Sequence, residues 1–165
     1  MAKITSILCE IITGRVSGAS TDGNVYMGLG GREFRLDSTQ DDYQSGSLRD
    51  YILGGAPFGS NLSSPQIRVQ NKDQNDPRKG FPLDTSDLSL TPVYIRFEPE
   101  GPSDNWNVNF AAVLVYATTF VIGYTPPAGF DNLFLGQAMG KILYLTSEHK
   151  IEQVALDAGR KVAAR

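Results

Sequence analysis

Two short stretches of this sequence gather the side chains best suited to holding an ion. Ser17–Asn24 brings Thr21, Asp22 and Asn24 together with Gly18 and Gly23, and Asp37–Gly46 contains Asp37, Asp41, Asp42 and Gln44. Calcium takes about six to eight oxygen ligands from carboxylates, amides and backbone carbonyls. Short loops rich in Asp, Asn and Gly offer all three kinds, because glycine lets carbonyls turn inward. Carboxylates crowded at one point repel each other, and a divalent cation removes that cost. Neither stretch has the spacing of an EF-hand loop. A plainer reading stands beside this one: Asp and Asn in solvated turns, accepting backbone hydrogen bonds.

Other chemistry is poorly provided for. The single histidine, His149, has no second histidine with which to form a metal site, and it lies far in sequence from any nucleophile at a strand end. The single cysteine, Cys9, sits in an apolar run and reads as a small buried hydrophobe. Gly28, Gly30 and Gly31 precede a strand rather than a helix and do not match a dinucleotide fingerprint. Neither a nucleophile elbow nor a phosphate-loop lysine motif occurs. The expectation is a binding protein, not an enzyme.

The chain of 165 residues has the length of one domain with additions. A net charge of −3 argues against nucleic acid and against unaided attraction to anionic lipid. The opening Met-Ala-Lys-Ile-Thr-Ser lacks the apolar core of a secretory leader, and no apolar run reaches membrane-spanning length. The location expected is cytoplasmic or peripheral to a membrane. Asn61-Leu-Ser63 matches a glycosylation acceptor, which matters only outside the cytoplasm.

Strand signals dominate. Ile4–Ile12, Asn24–Leu29, Arg32–Leu36, Asp50–Leu53, Gln66–Gln70, Val93–Glu98, Val108–Tyr116, Thr119–Thr125 and Lys141–Thr146 are short runs bounded by turn residues. Gly30-Gly31 reads as a two-residue hairpin turn. The pattern predicts an all-β fold, a two-sheet antiparallel β-sandwich of about eight strands over residues 1–147. The polar 71–91 segment, with three prolines among or beside its aspartates, reads as an inserted loop. After Ser147, a candidate N-cap, Ile151, Val154, Ala155, Ala158 and Val162 fall on one helical face, so 148–165 is expected to be a short helix or a frayed tail.

The run Thr13-Gly-Arg-Val-Ser-Gly-Ala-Ser-Thr-Asp-Gly-Asn-Val-Tyr resembles a known family once later pieces join it: Leu29-Gly-Gly, Phe34-Arg-Leu-Asp, Asp41-Asp-Tyr-Gln-Ser-Gly-Ser and Asp50-Tyr. Together they look like the PLAT (lipoxygenase-homology, LH2) domain. Val93-Tyr-Ile-Arg-Phe-Glu-Pro-Glu-Gly-Pro-Ser-Asp-Asn-Trp is similar to that family's strand, polar loop and Asp-Trp signature. The resemblance implies two four-stranded sheets and a role in binding lipid surfaces or protein partners, with no chemistry of its own. Carried across by position, it implies calcium ligands at Asp22 with backbone oxygens around Gly18, and at Asp41 and Asp42. Gln44 stands where the family often has a ligating Glu, which removes a charge and weakens the site.

Members that bind membranes present apolar loop tips. Candidates are Phe58, Phe81, Trp106, Phe130 and Phe134. The turn-rich Pro126–Leu135 segment, with Phe130, Leu133 and Phe134, is the wedge or partner contact expected, against the alternative of a loop folded onto the sandwich edge. The function expected is calcium-assisted attachment to lipid or membrane surfaces. Its alternative is a metal-independent protein-interaction or assembly module that uses the insertion and the C-terminal segment. A sugar-binding sandwich, with Trp106 and Tyr124 stacking on a ring, is a third.

Overall fold

The computed structural model describes residues 1–56, 66–118 and 120–151. These fold as an all-β sandwich with ten strands among the described residues. In chain order they are β1 (Ile4–Thr13), β2 (Asn24–Leu29), β3 (Arg32–Arg35), β4 (Leu48–Gly54), β5 (Gln66–Arg68), β6 (Val93–Glu98), β7 (Asn105–Ala117), β8 (Val121–Thr125), β9 (Leu133–Gly136) and β10 (Ile142–Ile151).

One layer runs β3-β2-β6-β10 and the other β10-β8-β7-β1-β4-β5, with β9 paired to β7. β10 belongs to both. Its residues Ile142–Leu145 pair with β6, and the stretch from Thr146 to Ile151 pairs with β8. The layers are therefore one curled sheet folded on itself, with the core between. Ile7, Cys9 and Ile11 of β1 meet Val25 and Met27 of β2 and Ile95 and Phe97 of β6 there. Leu8 faces the other way, against Ile52, Tyr116 and Val121. β1 is buried on both faces, which is why it reads as a continuous apolar run rather than an alternating one.

Asn24–Leu29 and Val93–Glu98 form strands with the expected bounds. Gly30 and Gly31 both have positive φ, 58° and 77°, as a two-residue hairpin turn of the primed type requires. Three expectations need correction. The sheet is mixed rather than wholly antiparallel, because β5 runs parallel to β4. Ser147, read as a helix cap, lies inside β10 opposite Tyr124, and the strand continues to Ile151. Backbone pairing with β8 outweighs the helical periodicity at its start. Leu133–Gly136, read as loop, is a strand opposite Asn105–Val108. Phe58, the Asn61–Ser63 acceptor and the tail beyond Ile151 lie outside the described residues.

The 71–91 insertion covers the open edge of β3. The Arg35 backbone N–H donates to the Asn75 side-chain carbonyl (2.9 Å), while the Asn75 amide donates to the Gln70 carbonyl (2.9 Å). A buried asparagine thus serves an edge strand as a neighbouring strand would, and blunts its capacity to pair with another chain. Further along, the Arg32 guanidinium donates to the carbonyls of Gln74 (3.2 Å), Asp76 (3.3 Å), Lys79 (3.0 Å) and Phe81 (2.9 Å). It also lies 4.7 Å from the centre of the Phe34 ring.

Candidate functional site

The two Asp-rich loops meet at one end of the sandwich. β1 ends there at Thr13 and β2 begins there at Asn24, so residues 14–23 bridge the layers. The second loop joins β3 to β4 beside it. Gly46 N–H donates to the Gly14 carbonyl (2.9 Å) and Ser45 N–H to the Ser20 hydroxyl (3.0 Å), which stitches the loops together. Between them lies a cleft of about 160 Å³, lined by Asp22, Asn24, Arg35, Asp37, Asp41 and Asp42 among others.

An aromatic pillar supports this end. Trp106, fully buried on β7, donates from Nε1 to Thr13 Oγ1 (3.1 Å) where the first loop leaves β1. Its ring meets Tyr43 of the second loop edge-on at 5.1 Å and Phe97 at 5.8 Å. Tyr43 adopts a positive φ of 62°, a costly conformation for a bulky residue that only well-packed surroundings sustain. One buried indole thus braces both loops. Because Trp106 and Tyr124 are buried, neither offers a face to a sugar.

Of the residues expected to hold calcium, Asp22, Asp41 and Asp42 line the cleft, while Gly18 and Gln44 lie outside its lining. Asp42 is buried and its oxygens are engaged. It accepts from the Ser38 N–H (2.8 Å) and hydroxyl (3.0 Å) and pairs with Arg49 Nε (3.2 Å). Arg49 Nη2 also donates to the Asp41 carbonyl (3.0 Å), and the Gln44 amide donates to the Asp41 carboxylate (2.8 Å). Arg35 Nη2 donates to Asn24 Oδ1 (2.6 Å) and pairs with Asp37 (3.2 Å). No group of three or more His, Cys, Asp or Glu side chains among the described residues could hold a metal ion. The donor set as arranged does not fit calcium. Arg35 and Arg49 carried no signal in the loop sequences, since each belongs to a flanking strand.

Phe130, Leu133 and Phe134 are half-buried rather than displayed. Leu133 and Phe134 belong to β9 opposite Val108 and Asn107, and Phe130 and Leu133 pack on the core. Among the described residues, exposed apolar side chains on turns include Phe81, 83% exposed, and Leu90, 72% exposed. Both flank the β2–β3 turn at the end opposite the cleft. The Phe81 carbonyl is held by Arg32, and Thr91, next to Leu90, accepts from the Gly31 N–H (2.9 Å). The charges beside Phe81 are balanced, because Lys79 pairs with Asp73 (2.6 Å) and Arg78 with Asp76 (2.7 Å).

The outer face of the smaller layer carries a polar and aromatic ladder. Arg96 clasps Glu33 through two bonds (2.7 and 2.9 Å) and lies 4.2 Å from the centre of the Tyr26 ring. Tyr94 donates to Glu33 (2.9 Å) and lies over Gly28, where any Cβ would strike its ring. The Arg96 side chain holds the Glu33 carboxyl below its usual range, against the opposing effect of burial. A depressed carboxylate stabilises the fold above its unfolded value and loses that contribution as pH falls through the folded value. Melting temperature is therefore expected to fall as pH drops below about 4.3. Glu33→Gln should flatten that slope while lowering stability at neutral pH, as thermal melts across pH will show.

No family model matches the sequence, and no curated protein matches it. Solved structures share the fold. Alpha toxin from Clostridium absonum aligns with 88% of this chain at 19% identity and a TM-score of 0.52. Coral 8R-lipoxygenase, described as activated by calcium through a C2-like domain, aligns with 95% at 14% identity and a TM-score of 0.51. The chain spans 32% of the toxin and 20% of the lipoxygenase. The fold resembles that of PLAT and C2-like β-sandwich domains.

Proposed function

We propose that this chain is a non-catalytic module of PLAT type that attaches to lipid surfaces, with Phe81 and Leu90 as its apolar contact. The observation that carries this reading is the display of those two side chains on turns tied down by Arg32 and Thr91. An exposed aromatic on a fixed turn gains burial in a bilayer interface with little ordering cost. The fold is consistent with it, since it resembles PLAT and C2-like β-sandwich domains. Among the described residues no helix is long and apolar enough to cross a membrane. Calcium takes no step in this reading, because the Asp37, Asp41 and Asp42 carboxylates of the cleft already have other partners.

The test is sedimentation with phosphatidylcholine vesicles. The charge-balanced turn and the overall charge of −3 predict binding that needs no anionic lipid and changes little with salt. Phe81→Ser should weaken partitioning about tenfold, corresponding to about 1.4 kcal/mol of lost apolar burial. Wild-type protein that stays in the supernatant at every lipid concentration would end the lipid reading and favour a protein partner.

A further inference from the structure

The inter-loop cleft raises a question that the lipid reading does not answer: what offsets the repulsion among its carboxylates. A divalent cation in such a place would neutralise carboxylates, collect backbone carbonyls and tie one loop to the other. All three tasks are done here by arginine. Arg49 neutralises buried Asp42 (3.2 Å) and collects the Asp41 carbonyl (3.0 Å). Arg35 ties the end of the first loop to the start of the second by donating to Asn24 Oδ1 (2.6 Å) and pairing with Asp37 (3.2 Å). Ser38 donates to both oxygens of Asp42, and Gln44 donates to one oxygen of the Asp41 carboxylate.

We propose that Arg35 and Arg49 are the built-in cations of this cleft: Arg35 ties the end of the first loop to the second, and Arg49 neutralises the buried carboxylate of the second, where a metal ion would otherwise do both. A calcium ion taking up Asp42 would have to break the Arg49–Asp42 pair, desolvated on the Asp42 side. The arginines reach the cleft from β3 and β4, outside both loops, so this cation supply travels with the fold and not with the loop sequence. The proposal is independent of the lipid reading, because its readouts need no vesicle.

The experiment is calcium titration by calorimetry together with thermal melting in calcium and in chelator. Wild-type protein is expected to give no binding heat and no melting shift at millimolar calcium. The pair of substitutions Arg35→Gln and Arg49→Gln should lower the melting temperature by about 5 °C in chelator. Calcium should recover part of that loss, since Asp37 and Asp42 then lack their arginine partners in a cleft that Asp22 and Asp41 also line. If the double variant does not fold, Arg35→Gln alone serves, because the Arg35 side chain is 46% exposed and carries little of the core. It should gain a calcium response, while Arg35→Lys, which keeps the charge, stays silent. Wild-type protein that binds calcium and melts higher in it overturns the proposal. So do glutamine variants as silent as wild type, and a lysine variant that responds as strongly as glutamine.

Discussion

Trp106→Ala is expected to destabilise the protein by about 4 kcal/mol, the largest single-residue effect we foresee. The loss has several parts. The indole is fully buried, so its removal forfeits apolar burial and leaves a cavity that the surrounding strands close only in part. It strips the edge-on contact from Tyr43 and the neighbouring ring from Phe97. It also leaves Thr13 Oγ1, on a buried residue, without the indole donor. Denaturant unfolding should show a lower midpoint, and hydrogen exchange should quicken at residues 14–23 and 37–46 together. Trp106→Phe keeps most of the burial and should cost roughly 1–2 kcal/mol. If the alanine variant loosened only one loop, the indole would not be their common brace.

The second large effect is expected at Arg32. Its guanidinium gathers four carbonyls of the insertion, and hydrogen bonds to charged groups contribute more than neutral ones. Arg32→Ala should cost about 2 kcal/mol, since part of the array is exposed to water, which replaces the donor there. The more telling consequence is dynamic. With the carbonyls of Lys79 and Phe81 released, the turn bearing Phe81 loses its fixed direction, and vesicle partitioning should weaken although no lipid-facing side chain has changed. Arg32→Lys, a point charge in place of a planar fork, should recover the charge but little of the array. Proteolytic cutting within 71–91 is the direct measure. A variant whose insertion resists protease as well as wild type would show that the four bonds are dispensable.

Local chemistry made much of this fold legible. The Gly30-Gly31 pair announced its hairpin, and the alternation in Val93–Glu98 fixed a strand with one buried face. Leu133–Gly136 was hidden for a physical reason. Four residues after a Pro- and Gly-rich turn make too short a run to show a period, and what makes them a strand is pairing with the start of β7, Asn105–Val108. The extension of β10 was hidden likewise, because its pairing with β8 is long-range while its helical pattern is local. At the cleft, the family resemblance pointed to Asp22, Asp41 and Asp42, and these three residues line it. It gave no view of Arg35 and Arg49, whose relation to the carboxylates exists only after β3 and β4 are paired into the sheet. Phe81 was visible as an aromatic in a polar loop, but its exposure depends on the Arg32 array across more than forty residues of chain.

The double membership of β10 has a consequence in time. Every described strand except β6 and β8 can complete its pairing before β10 is made, but no backbone ladder joins the two layers until this last described strand arrives. Until then β6 and β8 each present an open row of backbone donors and acceptors, as exposed in a nascent chain as the edges of a half-built sheet. A nascent or truncated chain ending before Ile142 should therefore pair with other copies of itself rather than close, and soluble yield should fall abruptly at that length.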